Sequence, residues 1–381
     1  MIPSITLKSI RRRTLSPVLL IALVMFPQIV ETIYSPALPL IAERFNVSQI
    51  VATQTLSCYF LAFALGVMVW GILCDLIGRR LSVLLALLLY TLATLIALLA
   101  PSFSMLLLAR IAMAFSAAIG SIGTQTMIRD QLSGDALRKL FSVIGIALAL
   151  SPMIGLILGA FMSSLGGVDA IFSLLSLIGV ILLCWCMFSL PETKVQPPSM
   201  PKIMPLLGSM IRSRHIWKCT LLIASFNIML FSYYQLAPFM FDRLNLPRSL
   251  YGFSGIFLGV GTFIGAYSNR YLIKRSIDGD RLILLAIGLS LLSSLLVKGL
   301  ESEPIFVLPM MGIMIAYSIA IPNLLTIALK DYQHALGSAG AILGLFYYAL
   351  IGLGLILAGM TGSLSLVLIP LSLMALLIFK L

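Results

Sequence analysis

The feature that most constrains this chain is a succession of long apolar runs, each broken by a short polar stretch. They fall at 15–40, 50–72, 80–100, 103–126, 140–165, 170–190, 217–241, 250–273, 281–299, 304–328, 335–358 and 362–380. A helix needs about 20 apolar residues to cross the hydrocarbon core of a bilayer. Twelve such helices use about 240 residues, and a chain of 381 has no room left for a sizeable domain outside the membrane. Composition agrees: 60% of residues are hydrophobic and 10% charged, against roughly 45–50% and about 25% in soluble domains. A soluble fold and a disordered chain are both excluded. So is a β-barrel, whose strands would alternate apolar with polar residues. The expected fold class is an all-α membrane protein of about twelve transmembrane helices. The runs divide six and six around a polar, proline-bearing stretch. This gives an N-terminal half at 1–190, a linker at 191–216 and a C-terminal half at 217–381.

The net charge of +12 would suggest nucleic acid in a soluble protein, but here it fits basic loops facing anionic lipid. With the N-terminus placed in the cytoplasm, twenty Lys and Arg fall on the inner side and four outside, and Arg110 remains within a span. That asymmetry predicts an even number of spans and two cytoplasmic termini. Lys8, Arg11, Arg12 and Arg13 precede the first run as in a signal peptide, but the run is too long for one and is read as a true span. The five cysteines lie in or beside apolar runs, so neither disulfides nor a metal site are expected.

An internal repeat is visible. GILCDLIGRR (Gly71 to Arg80) and GAYSNRYLIKR (Gly265 to Arg275) each place a polar residue four positions after the glycine and end in a basic pair. They lie 194 residues apart, which points to two halves related by duplication.

The first of these segments carries a resemblance. Gly71, Asp75, Gly78, Arg79 and Arg80 between spans 2 and 3 resemble the loop signature of the major facilitator superfamily. YSPALPLIAERF (Tyr34 to Phe45), IRDQLSG (Ile128 to Gly134) and SPMIG (Ser151 to Gly155) further resemble the bicyclomycin-resistance branch of bacterial drug:proton antiporters. The resemblance implies that Asp75 sits against the positive end of helix 11. With Arg79 and Asp130 it would form a latch closing the halves on the inside. Span 5 matches the antiporter motif at Pro152, Gly155 and Gly159, with Ser151 where the family has glycine. Read from the residues alone, the loop is an ordinary topogenic one and the glycines a packing face.

Two ionisable residues lie within spans, Glu31 and Arg110, and a charge at that depth marks a functional candidate. Each is about 24 Å from the inner end of its helix, so the two can share a level. Gln28, Glu31, Tyr34 and Ser35 form one polar stripe at helical spacing. Arg110 matches the arginine of the family's helix-4 motif, although Met113 and Ala114 replace its glutamine and glycine. Relatives in the branch carry aspartate where this chain has Thr32; Glu31 stands one residue earlier, about 100° around the helix. Other cavity candidates are Gln54, Tyr59, Gln125, Asn227, Tyr234, Gln235, Tyr317, Asn323, Tyr347 and Tyr348. No phosphate-binding loop of a primary pump is present.

The expectation is a monomeric secondary transporter of the bacterial inner membrane that exchanges small amphipathic compounds for protons. Glu31 and Arg110 would couple the proton, with no cofactor, no metal and no nucleic-acid partner. Two readings stand beside it: a dedicated transporter of one metabolite, such as a siderophore, sugar or amino acid, and a membrane sensor or scaffold that no longer transports.

Overall fold

The structure, a computed structural model, describes residues 16–132, 134–194 and 203–380. The basic cluster Lys8–Arg13 and Lys202 lie outside them, as do the side chains of Arg138 and His334. The described elements are helical. We label the membrane-spanning ones α1 (Pro17–Arg44), α2 (Gln49–Ile77), α3 (Arg79–Leu98) and α4 (Phe103–Gln131). The run Gly134–Ser189 is broken at Gly166 and Gly167, where φ and ψ leave the helical region. It therefore forms two helices, α5 (134–165) and α6 (168–189). Gly167 has φ 62° and ψ −138°, a conformation open to a residue without Cβ. Beyond a short linker helix (Ile203–Arg212) come α7 (Arg214–Arg243), α8 (Arg248–Lys274), α9 (Gly279–Leu300) and α10 (Pro304–Ala328). The last two are α11 (Leu336–Thr361) and α12 (Ser365–Lys380). Each apolar run thus has its helix, within a few residues of the boundaries read from the sequence.

Local chemistry sets the helix ends. Ser48, Ser102 and Ser213 accept the backbone N–H three residues on, capping α2, α4 and α7. The exits of α1 and α7 repeat each other. Asn46 (φ 50°) and Asn245 (φ 55°) take the left-handed conformation. Val47 then donates to the Ala42 carbonyl and Leu246 to the Phe241 carbonyl, both at 3.0 Å, closing matched Schellman turns. The segments RFNVS and RLNLP that encode them are a second repeat in the sequence.

Packing repeats as well. Helix α2 lies along α4 as α8 lies along α10, and α3 packs on α4 as α9 packs on α10. Between the first six helices and the last six, α2 runs against α11 and α5 against α8. Loops rich in Lys and Arg, including those after α2 and α4, mark one end of the bundle as the basic end. Hydrogen bonds joining the two sets of helices gather toward the opposite end: Ser35 to the Tyr234 carbonyl, and Gln235 to Thr53 and Ser57. At that end Arg44 pairs with Asp169. Nearby, Glu301 accepts the Leu364 N–H at 2.6 Å, capping α12.

Candidate functional site

Glu31 and Arg110 both lie deep in the bundle, 5% and 0% exposed. The Arg110 guanidinium is held between two rings, 3.6 Å from the centre of Tyr34 and 4.7 Å from that of Tyr59. Tyr34 is fixed by donating to Thr55 Oγ1 at 2.9 Å. Tyr59 donates to the Pro27 carbonyl at 3.5 Å. Aromatic faces offset part of the cost of burying the cation, but they accept no hydrogen bonds in the guanidinium plane. Nε, Nη1 and Nη2 of Arg110 are all without an acceptor. One oxygen each of Glu31 and Gln28 likewise lacks a donor, and the hydroxyls of Tyr90 and Tyr234 have no partner. No ion pair joins Glu31 to Arg110 among the described residues, although Glu31 lies within reach of the Arg110 charge.

The structure also shows which way Glu31 faces. Thr32 donates to the Gln28 and Ile29 carbonyls and packs on Gly155 of α5. Glu31, one position around the helix, lies instead within electrostatic reach of Tyr59, Tyr234, Tyr317 and Tyr348, from both sets of six helices. Aromatic side chains continue across that junction. Phe60 meets Phe231 at 4.3 Å, Phe63 meets Tyr348 at 4.8 Å, and Tyr347 meets Tyr348 at 4.4 Å. Asn227 accepts from Tyr317 at 3.4 Å. Gln54 and Gln125 are half-buried and take no part in this network.

Three expectations need correction. Asn323 does not line the central region. It donates to Asn269 at 2.8 Å and borders a cleft of roughly 730 Å³ at the basic end, with Asp278, Asp280, Lys330 and Asp331. Gln235 is wholly buried and bonds only to neighbouring helices. The latch residues do assemble, but on one side only. Arg79 Nε lies 2.8 Å from Asp130, its Nη2 3.1 Å from Asp75, and its Nη1 2.9 Å from the Cys74 carbonyl. Among the described residues none of these bonds crosses to helices α7–α12, because Asp75 turns to Arg79, four residues on at the start of α3.

One member of the cluster escaped the sequence reading. Glu192 follows α6 and accepts the backbone N–H groups of Arg79 and Arg80 at the start of α3, at 3.0 and 3.2 Å. It also accepts from Thr193 and Lys194. Gly78 (φ 100°) permits this approach, since a side chain there would strike the carboxylate. Partial burial pushes the Glu192 carboxyl upward, but the four N–H donors together outweigh it and hold the group below the usual carboxylate value. The signal was a carboxylate just after a span, facing the uncapped N-terminus of α3.

In span 5, Ser151 donates to the Ala147 carbonyl at 2.8 Å. Pro152 sits within α5. Gly155 and Gly159 let α5 approach α1 at Ile29 and Ile33, the close contact that small residues allow.

Among the described residues, twelve apolar helices surround a buried acid and base that form no ion pair with each other, and together they define a polytopic membrane transporter. The chain belongs to the Major Facilitator Superfamily, which it matches over residues 20–355. It is 33% identical over 349 residues to an uncharacterized transporter of Rickettsia bellii, covering 87% of this chain and 86% of that one. It is 27% identical over 177 residues to the bicyclomycin resistance protein homolog of Haemophilus influenzae, covering 46% of this chain and 44% of that one. In fold it is similar to a D-xylose-proton symporter, with a TM-score of 0.74 at 15% identity over 96% of this chain and 98% of that one.

Proposed function

We propose that the protein is a proton-coupled exporter of small amphipathic compounds in the bacterial inner membrane. Its basic end and both termini face the cytoplasm, and its halves, 1–190 and 217–381, are joined by the linker 191–216. The observation that carries this reading is the set of orphaned polar atoms on Glu31, Gln28, Arg110, Tyr90 and Tyr234, part of it at the junction of the halves. Buried polar groups are rarely left unpaired, so this set suits a proton and a polar substrate group that come and go. The aromatic surroundings suit an apolar body. The bicyclomycin-resistance relative supports export of a drug-like compound. The antiporter-like Pro152, Gly155 and Gly159 fit the same direction.

Among the described residues Glu31 is the only carboxylate away from the ends of the spanning helices, so one proton moves per cycle. Exchange of a proton for a monovalent cation is then electroneutral. The test is flux in liposomes holding the purified protein, over a panel of drugs, with either the pH gradient or the potential clamped to zero. Uptake of a monovalent cation should follow the pH gradient and not the potential, and Glu31→Gln should lower it more than tenfold. Strong transport on potential alone, or a Glu31→Gln protein at native rate, overturns the assignment.

A further inference from the structure

Gln235 lies on α7 about two turns from the end opposite the basic loops. Its Nε2 stands 3.0 Å from the Thr53 carbonyl and 3.2 Å from Ser57 Oγ on α2, and 3.0 Å from the Leu355 carbonyl on α11. One amide group therefore ties a helix of the first half to two helices of the second. Gly359 makes room for it: a methyl there would lie 3.1 Å from the amide nitrogen. On the other flank of α7, Ser35 of α1 donates to the Tyr234 carbonyl and shares a 2.5 Å hydrogen bond with the Tyr251 hydroxyl of α8. Every group in this set is neutral.

We infer that Gln235 is the pin of the outer gate: its amide holds α2, α7 and α11 together on the far side of Glu31, and outside access requires its bonds to break. An amide nitrogen has two hydrogens, and here three acceptors compete for them. In this closed state it has no hydrogen left for a substrate, which sets it apart from the cavity residues. The Oε1 of the same side chain is buried without a partner. Opening would hydrate that oxygen, so the lock is firm without being irreversible. Because no ion pair takes part, its strength should not follow salt or pH, which leaves that dependence to Glu31. The inference rests on reading the chain as an alternating-access transporter and needs no particular substrate.

The test uses the full chain in lipid nanodiscs, with the five native cysteines replaced and one reporter cysteine added. Thr53→Cys reports on the outer side, where Thr53 is now fully buried. Ser338→Cys, near the start of α11 and half-buried, reports on the basic end. Reaction with a water-soluble maleimide is followed without substrate. Gln235→Met keeps the length of the side chain and removes its donors. It should raise the rate at the Thr53→Cys reporter about tenfold and lower the rate at the Ser338→Cys reporter. Ser57→Ala removes one of three acceptors and should raise the outer rate two- to threefold. A rise at both reporters would mean general loosening and would overturn the inference. So would an unchanged outer rate, whatever happens to transport. If Gln235→Met does not fold, Ser57→Ala and Ser35→Ala carry the same comparison, and no outer rise in either overturns it. Labelling needs no transported compound, so failure of the exporter reading leaves this result legible.

Discussion

The loops after α2 and after α8 are related by the 194-residue repeat, and they are held in opposite ways. In the first, Arg79 spans Asp75 and Asp130 while Glu192 takes the free N–H groups at the start of α3. In the second, Asn269 accepts from Asn323 at 2.8 Å, and Asp278 at the start of α9 makes no side-chain cap. The first loop is tied to α4 and to the segment after α6 by charge. The second is tied to α10 by one neutral bond, beside the cleft of roughly 730 Å³. The repeated scaffold is fastened in two different ways. The first half is thus the better candidate for a rigid frame at the basic end, and the second for the part that yields.

The hardest blow to this contrast is Arg79→Ala. Arg79 is 8% exposed, and its loss strands Asp130. Thermal unfolding in detergent should show a loss of about 2–3 kcal/mol, and transport should fall more than tenfold. Native stability would show that the ionic fastening contributes nothing.

A smaller effect is expected from acid. Glu192 has a lowered folded pKa, so its contribution is complete at neutral pH. That contribution fades as pH drops below the ordinary value of 4.5 toward the lower folded one. Glu192→Gln should flatten that part of the stability curve between pH 6 and about pH 3, and an unchanged curve would remove the cap from the argument.

The smallest change in stability belongs to Asp75→Asn, because the Asp75 side chain is 40% exposed and exposed pairs contribute little, about 0.2–1 kcal/mol. Its effect on flux sharpens the comparison. A fivefold loss of transport with an unchanged melting point would mark Asp75 as the partner of the second half in the other conformation. Transport at the native rate would dismiss the latch. The reverse exchange, Asn269→Asp, should leave both measurements near native, since the Asn323 amide can donate to a carboxylate.

Much of this architecture was legible in the chain. Apolar runs had to become helices, because a bilayer tolerates no unpaired backbone, and the boundaries followed. Glu31 and Arg110 were found by their cost in hydrocarbon. What could not be read was direction. Nothing local says that Tyr34 and Tyr59 close on Arg110, or that Thr32 turns to Gly155 and leaves Glu31 to the junction. Gln235 and Asn323 looked like cavity amides because an amide in a span has to bond somewhere, and the sequence does not say to what. In the sequence Glu192 looks like any loop acid, since its partners at the start of α3 are backbone groups more than a hundred residues earlier. The twin turns at Asn46 and Asn245 were present in RFNVS and RLNLP, and their likeness becomes plain once both are seen to end a helix in the same way.

The arginine between two tyrosine rings has one more consequence. Held between the rings of Tyr34 and Tyr59, the Arg110 guanidinium sets a positive charge in the first six helices, near their acid. A small cation drifting toward the centre meets repulsion there. On the proton coupling proposed above, a carrier wired in this way would be insulated: protons would pass singly, through one carboxylate, with little leak when no cargo is bound.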